Sequence, residues 1–299
     1  GMTLPQAPFG RVLTAMVTPF APDGSLDLDA AARVALHLAD HGHDGVVVSG
    51  TTGESPTTTT AEDGQLLRAV KEAVGDRLKI VAGVGTNDTR HSVELAQQVN
   101  EIGADGVLLV TPYYSKPAAA GIFAHFERIA SVSDAPVMLY DVPGRTGMRI
   151  PFEVYQRASE LPNVIAVKEA VGDLEQGFKL ATELGYAVYS GDDGYNLAWL
   201  SMGASGVVSV AGHVVGDQLR AMVTAMEQGD LQAAQAAYAQ QLPAIDAIMG
   251  VSNYGATTAK AALQLLGVLD NRRVRLPQVE LTDTEVSALS EGLRAAKVI

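Results

Sequence analysis

The 299-residue chain contains no cysteine. Disulfides, thiolate metal sites and cysteine nucleophiles are therefore excluded. It has no apolar run approaching the roughly 18–20 residues that span a bilayer. Its beginning lacks the basic start and apolar core of a signal peptide, and Gly1 ahead of Met2 reads as a cloning remnant. Basic residues are in the minority, 21 Lys and Arg against 34 Asp and Glu. The resulting net charge of −13 argues against nucleic acid or an anionic membrane as a partner. No linker-like or low-complexity segment interrupts the chain. These absences leave a soluble protein expected in the cytoplasm.

What is present is a repeating alternation. Short Val/Ile/Ala-rich runs end in Gly, Thr, Pro or Asp, and an Ala-rich amphipathic segment follows each. Eight such runs read as strands: RVLTAMVTPF from 11, GVVVSG from 45, KIVAGVG from 79, GVLLVTP from 106, VMLYDVP from 137, VIAVKEA from 164, AVYSGDD from 187 and GVVSVAG from 206. Runs this apolar suit parallel strands covered on both faces. Helices between them have recognisable ends. The segment 27–42 opens on acids and closes on Gly42. In 59–75, Thr60 with Asp63 is expected to form a capping box, with Gly75 as C-cap. The pattern predicts a (β/α)8 barrel rather than a doubly wound sheet, since GVGTND at 83–88 lacks the third glycine of a dinucleotide fingerprint. After residue 228 the strands stop, and helical segments follow at 230–249, 254–268 and 282–297. The expected division is a catalytic barrel over 2–228 and a C-terminal three-helix extension over 229–299.

In such a barrel the carboxyl ends of the strands form the reactive rim. Those ends carry Thr18, Thr51, Thr52, Glu54, Tyr113, Tyr114, Tyr140, Arg145, Lys168, Asp192 and Ser209. Lys168 is the most unusual of them, because it closes the buried run VIAVKEA. Strand alternation places Ala166, Lys168 and Ala170 on one face and Ile165, Val167 and Glu169 on the other. The small alanines suit the barrel interior, so Lys168 is expected to point inward. Removing an ammonium from water is costly, and loss of the proton gives an amine nucleophile suited to Schiff-base chemistry. The competing structural reading is an interior lysine paired with a carboxylate such as Asp192. GTTGE at 50–54 offers hydroxyls and turn amides as a cradle for a carboxylate, although it is also a good turn. YDVPGRTG at 140–147 sets Tyr140 at a strand end and Arg145 five residues on. An arginine there gives a bidentate grip on a carboxylate or, equally, a surface ion pair. A phenol beside an iminium is a credible proton carrier, while a buried tyrosine with a satisfied hydroxyl is the commoner case.

Taken together, GTTGES (50–55), TPYYSKP (111–117), YDVPGRTG (140–147), VKEA (167–170) and SGDD (190–193) resemble the dihydrodipicolinate synthase/N-acetylneuraminate lyase family, in register over nearly the whole chain. The resemblance implies a (β/α)8 barrel with a helical extension, a homotetramer built from two tight dimers, pyruvate as first substrate and no cofactor. It implies that Lys168 forms the pyruvate Schiff base and that Tyr140 shuttles protons. Thr51 would link Tyr140 to Tyr114, donated across the dimer interface by the partner subunit. Thr52 would hold the pyruvate carboxylate, and Gly191 and Val208 would line the pocket through backbone groups.

Within the family, Arg145 points to the synthase branch, where an arginine in this turn binds the carboxylate of aspartate semialdehyde. The reaction would serve lysine and diaminopimelate biosynthesis. The alternative is another pyruvate-dependent aldolase acting on a keto-hydroxy acid or sugar acid. A non-catalytic keto-acid-binding barrel is disfavoured because Lys168, Tyr140, Thr51 and Tyr114 are all present. A phosphate nest at GASGVVSV (203–210) reads equally as a turn before a strand. Ser55, Asn87 and Tyr113 match a regulatory lysine site at the dimer interface. Thr60 and Asp63 stand where lysine-inhibited relatives carry a large ring, and His91 replaces a glutamate. Lysine inhibition is therefore expected to be weak or absent. DHGHD at 40–44 looks like a metal site, yet it lies on the face opposite the chemistry, and no metal is expected. His125 and His213 read as packing or surface residues.

Overall fold

The protein is seen as a computed structural model that describes residues 6–252 and 254–299. Eight parallel strands close a barrel in chain order: β1 Val12–Ala15, β2 Gly45–Val48, β3 Lys79–Gly83, β4 Gly106–Val110, β5 Val137–Asp141, β6 Val164–Glu169, β7 Ala187–Ser190 and β8 Gly206–Ser209. Each falls within the run expected to form it. The first run is longer than its strand, since only Val12–Ala15 pairs with β2 and β8. Around the barrel lie α1 Leu28–Asp40, α2 Thr60–Val74, α3 Thr89–Ile102, α4 Ala119–Val132, the short α5 Pro143–Thr146, α6 Phe152–Ala158, α7 Leu174–Thr182, α8 Asn196–Ser201 and α9 Gly212–Glu227. Three further helices follow: α10 Leu231–Gly250, α11 Gly255–Leu265 and α12 Asp283–Ala295. Among the described residues no helix is long and apolar enough to cross a membrane.

Alternation along the strands builds two separate cores. Val46, Val48, Ile80, Ala82, Val107, Leu109, Leu139 and Val167 pack outward against the helices. Leu13, Val47, Val81, Leu108, Met138, Ala166, Tyr189 and Val208 fill the barrel interior. β6 departs from the simple alternation. Val137 pairs with Val164 and Met138 with Ala166, so a bulge takes up Ile165. Val164, not Ile165, joins Val167 on the outer face, and Ile165 packs against the inner cluster. Lys168 keeps its inward phase because the irregularity lies before Ala166.

The capping box of α2 is one residue earlier than expected. Thr59 caps the helix and exchanges hydrogen bonds with Glu62, not Thr60 with Asp63. The four consecutive threonines 57–60 offer several caps, and partners elsewhere decide among them. Arg275 grips the Glu62 carboxylate at 2.6 and 2.8 Å, while Asp63 accepts from Ser49 and Thr58 at 3.2 and 2.7 Å.

The C-terminal helices attach through apolar and ionic contacts. Ala244, Ile245 and Ile248 of α10 and Leu289 and Leu293 of α12 share a core with Val215, Leu219, Met222 and Val223 of α9. Deeper in, Lys260 of α11 is buried against Glu54 at 2.5 Å, and the Arg275 amide donates to the other Glu54 oxygen at 3.0 Å. Both cations lie over the Phe20 ring, at 4.1 and 4.2 Å.

Candidate active site

Lys168 sits in register between Tyr140 on β5 and Tyr189 on β7. It is 5% exposed, and its Nζ lies 4.2 Å from the centroid of the Tyr140 ring. Among the described residues no carboxylate pairs with it. Asp192, the partner required by the structural reading, instead accepts from the Gly194 amide at 3.1 Å, and burial raises its pKa. Gly191 leaves room for the lysine stem: a Cβ there would lie 3.1 Å from both Lys168 Cγ and the Glu169 carbonyl oxygen. Glu169 points to the other side of the strand, where the amides of Val171, Gly172 and Asp173 donate to it.

The cleft at this rim has two chambers of about 420 Å³ each. The inner one holds Lys168, Thr52, Gly191 and Asp192, and the outer one Ser49, Ser55, Gly83 and Tyr113. Thr51, Tyr140, Val142, Gly144, Arg145 and Tyr254 line both. Val208 is packed a layer below in the barrel core, and Val210 is the β8-end valine that reaches the inner chamber. Ser209, counted among the rim residues, is buried and donates to Asp193 at 2.5 Å. Asp193 also accepts from the Val210 and Ala211 amides at 3.0 and 2.8 Å, which fixes the end of β8. Glu54, another of the rim residues, is committed to Lys260 and Arg275.

The GTTGE turn is held by one hydrogen bond from β1's end and two of its own. The Thr18 hydroxyl donates to the Gly53 carbonyl at 2.7 Å, the Glu54 amide to the Thr51 carbonyl at 3.0 Å and the Ser55 amide to the Gly50 carbonyl at 3.2 Å. Glu54 itself adopts φ +58°, in the left-handed region. Arg145 rides on α5, which starts at Pro143 and is capped after Thr146 by Gly147 at φ +86°. Its guanidinium carbon lies 5.1 Å from the centroid of the Tyr254 ring, and the Tyr254 hydroxyl donates to the Thr51 carbonyl. Tyr254 was hidden from the sequence reading because it opens a helical segment. The one available signal was an aromatic residue directly before a glycine at a helix start.

Tyr114 does not line the cleft of its own chain. It is 92% exposed and holds φ +73°, an uncommon conformation for a tyrosine. Tyr113 does reach the outer chamber, and Asn87 donates to its carbonyl at 3.3 Å. Nearby, burial pushes Asp63 up to about 6 despite its two hydroxyl donors, and His91 sits 3.7 Å from Glu94. In the DHGHD segment Asp40 meets Arg77, His41 meets Asp217, His43 meets Thr14 and Asp44 meets Arg220. His125 and His213 are buried, with pKa values pulled down by burial to about 4 and about 3.

A model of the Dihydrodipicolinate synthetase family matches residues 8–296. The chain belongs to that family. A 4-hydroxy-tetrahydrodipicolinate synthase of Acidothermus cellulolyticus is 53% identical over 98% of this chain and 94% of the relative. The Streptomyces coelicolor protein named 4-hydroxy-tetrahydrodipicolinate synthase 2 is 52% identical over 98% of this chain and 97% of its own length. Among solved structures, dihydrodipicolinate synthase of Cyanidioschyzon merolae with lysine bound aligns with TM-score 0.93 and 39% identity, covering 98% of this chain and all of that one. The dihydrodipicolinate synthetase family thus accounts for the barrel, the helical extension and the order of the rim motifs together.

Proposed function

We propose that the chain is a 4-hydroxy-tetrahydrodipicolinate synthase, condensing pyruvate with L-aspartate 4-semialdehyde in lysine and diaminopimelate biosynthesis. The observation that carries this reading is Lys168. It is a buried amine with no carboxylate partner among the described residues, held over the Tyr140 ring in a cleft that Arg145 also lines. In this reading the Lys168 amine adds to the pyruvate carbonyl carbon and expels water, and Tyr140 carries the protons. Loss of a methyl proton gives the enamine, whose carbon attacks the semialdehyde. The substrate's own amine then adds to the imine carbon and frees Lys168. Thr52 holds the pyruvate carboxylate, Gly191 makes room beside the imine, and Arg145 grips the carboxylate of the second substrate. Val210 takes the pocket-lining position first given to Val208.

The wider reading is a cytoplasmic enzyme with its barrel at 2–228 and an extension at 229–299. Residues 2–5 of that barrel segment lie outside the described residues. The extension is not a bystander, since Tyr254, Pro277 and Gln278 line the cleft. The enzyme assembles as a homotetramer of two tight dimers, supported by the outward display of Tyr114. Ser55, Asn87 and Tyr113 form the remnant of a lysine site. Asp63 is turned to Ser49 and Thr58, so lysine inhibition is expected to be weak or absent. Strong inhibition by sub-millimolar lysine in steady-state assays would overturn that expectation.

Borohydride trapping with pyruvate, followed by peptide mass analysis, tests the mechanism. A reduced pyruvyl adduct on Lys168 is expected, together with turnover of the semialdehyde. Arg145→Ala should leave the adduct intact and raise the KM for the semialdehyde at least about tenfold, the loss of a charge-assisted bidentate contact. An adduct without turnover would transfer the second substrate to the keto-hydroxy-acid aldolases.

A further inference from the structure

We propose that Tyr254 is a specificity-determining and positioning residue, whose ring seats the Arg145 guanidinium over the cleft while its phenol holds the Thr51 main chain. The proposal deepens the functional reading above and rests on it.

Tyr254 stands at the junction of the two chambers and lines both. It is 8% exposed. Its placement is fixed from behind. Gly255 starts α11 so close to the end of β8 that a Cβ would lie 3.1 Å from Val210 Cγ1. From there the phenol reaches the Thr51 carbonyl, which already accepts the Glu54 amide at 3.0 Å. Two donors on one carbonyl fix the peptide joining Thr51 to Thr52, the residues read as relay and carboxylate holder. The phenol stays protonated at working pH, since burial pushes its pKa up to about 12.

The other half of the device is the stacked cation. Arg145 is exposed on a single-turn helix. Its guanidinium carbon lies 5.1 Å from the Tyr254 centroid, within cation–π range. An aromatic face under the planar cation limits its swing and keeps the N–H fork turned to the cleft. One residue of the C-terminal extension thereby couples the arginine that receives the second substrate to the threonine that serves the first.

Two substitutions separate the halves. Tyr254→Phe keeps the ring and removes the phenol, and Tyr254→Leu removes both. Tyr254→Phe should slow pyruvate trapping on Lys168 and kcat about fivefold, the scale of one neutral hydrogen bond, with the semialdehyde KM unchanged. Tyr254→Leu should show the same slowing and in addition raise the semialdehyde KM about fivefold. A general packing defect would move both variants and both KM values together. Tyr254→Phe trapping pyruvate at the parent rate, or Tyr254→Leu keeping the parent KM for the semialdehyde, overturns the proposal. Circular-dichroism melting identifies a leucine variant that does not fold, and Tyr254→Met then takes its place. Failure of the functional reading appears in the parent before any variant is made. A parent that traps pyruvate but ignores the semialdehyde sinks that reading, while trapping rates still decide the Thr51 half. A parent that forms no adduct overturns both.

Discussion

Tyr140 and Lys168 face the cleft, and one residue further along each strand Asp141 and Glu169 face the helices. The alternation that presents the chemistry therefore also buries a pair of acids on the far side. Asp141 is fully buried, accepts from the Tyr155 hydroxyl at 2.9 Å and the Ile150 amide at 3.2 Å, and is pushed up to about 6 by burial. A raised folded pKa stabilises the fold below the unfolded value of 3.8, and that stability is lost as pH rises through about 6. Asp141→Asn keeps an acceptor for Tyr155 without the charge. It should stabilise the protein by about 1–3 kcal/mol at pH 7 and be neutral near pH 4. Urea unfolding of parent and variant at both pH values measures this. His43, His125 and His213, held down to about 4, 4 and 3, lose stability as pH falls through those values. Their contribution cancels in the difference between the two proteins. An equal effect at both pH values would show that Asp141 is not the titrating group.

At the scale of elements, the Glu54–Lys260 pair joins the β2 turn to α11, with Arg275 and Phe20 around it. Burial pulls Lys260 down to about 8, with Glu54 opposing, so the lysine is still a cation at neutral pH. Removing one partner leaves the other buried and uncompensated. Glu54→Gln is expected to destabilise by about 3–5 kcal/mol, read as a lower urea midpoint, whereas Glu54→Gln with Lys260→Met should recover most of the loss. A double variant as unstable as the single one would mean that the pair is not what joins these elements. None of this network was visible in the sequence, where Glu54 reads as a rim acid and Lys260 as one lysine in an Ala-rich helix. Periodicity locates elements, but it does not say which polar residues meet across 206 positions of chain. The same limit explains the capping box. Thr59 prevails over Thr60 because Arg275, more than two hundred residues away, claims Glu62. Lys168 was legible because alternation within one strand fixes its direction, and the bulge at Ile165 left that phase untouched.

At the scale of the whole molecule the barrel is explained and Tyr114 stands out. Eight apolar runs with helical spacers specify the barrel because each parallel strand must be covered on both faces, and closure in chain order follows. Tyr114 fits no role in that barrel. It is 92% exposed, holds a left-handed φ, and lies outside both chambers of its own subunit. A large aromatic residue held outward in an uncommon backbone state suits insertion into a second copy, in the self-complementary geometry of a two-fold dimer. The proposed sharing of sites between subunits has a stoichiometric consequence. Lys168→Ala and Tyr114→Phe should each be nearly inactive alone. Mixed in equal amounts and allowed to exchange subunits, half of the dimers become hybrids. In each hybrid the Tyr114→Phe subunit keeps its Lys168 and receives an intact tyrosine from the Lys168→Ala subunit. One of two sites is then complete, so the mixture should regain about a quarter of parent activity. Activity that stays at the sum of the two variants, after native mass spectrometry has shown hybrids, would rule out donation of Tyr114 across the interface and leave each subunit to complete its own site.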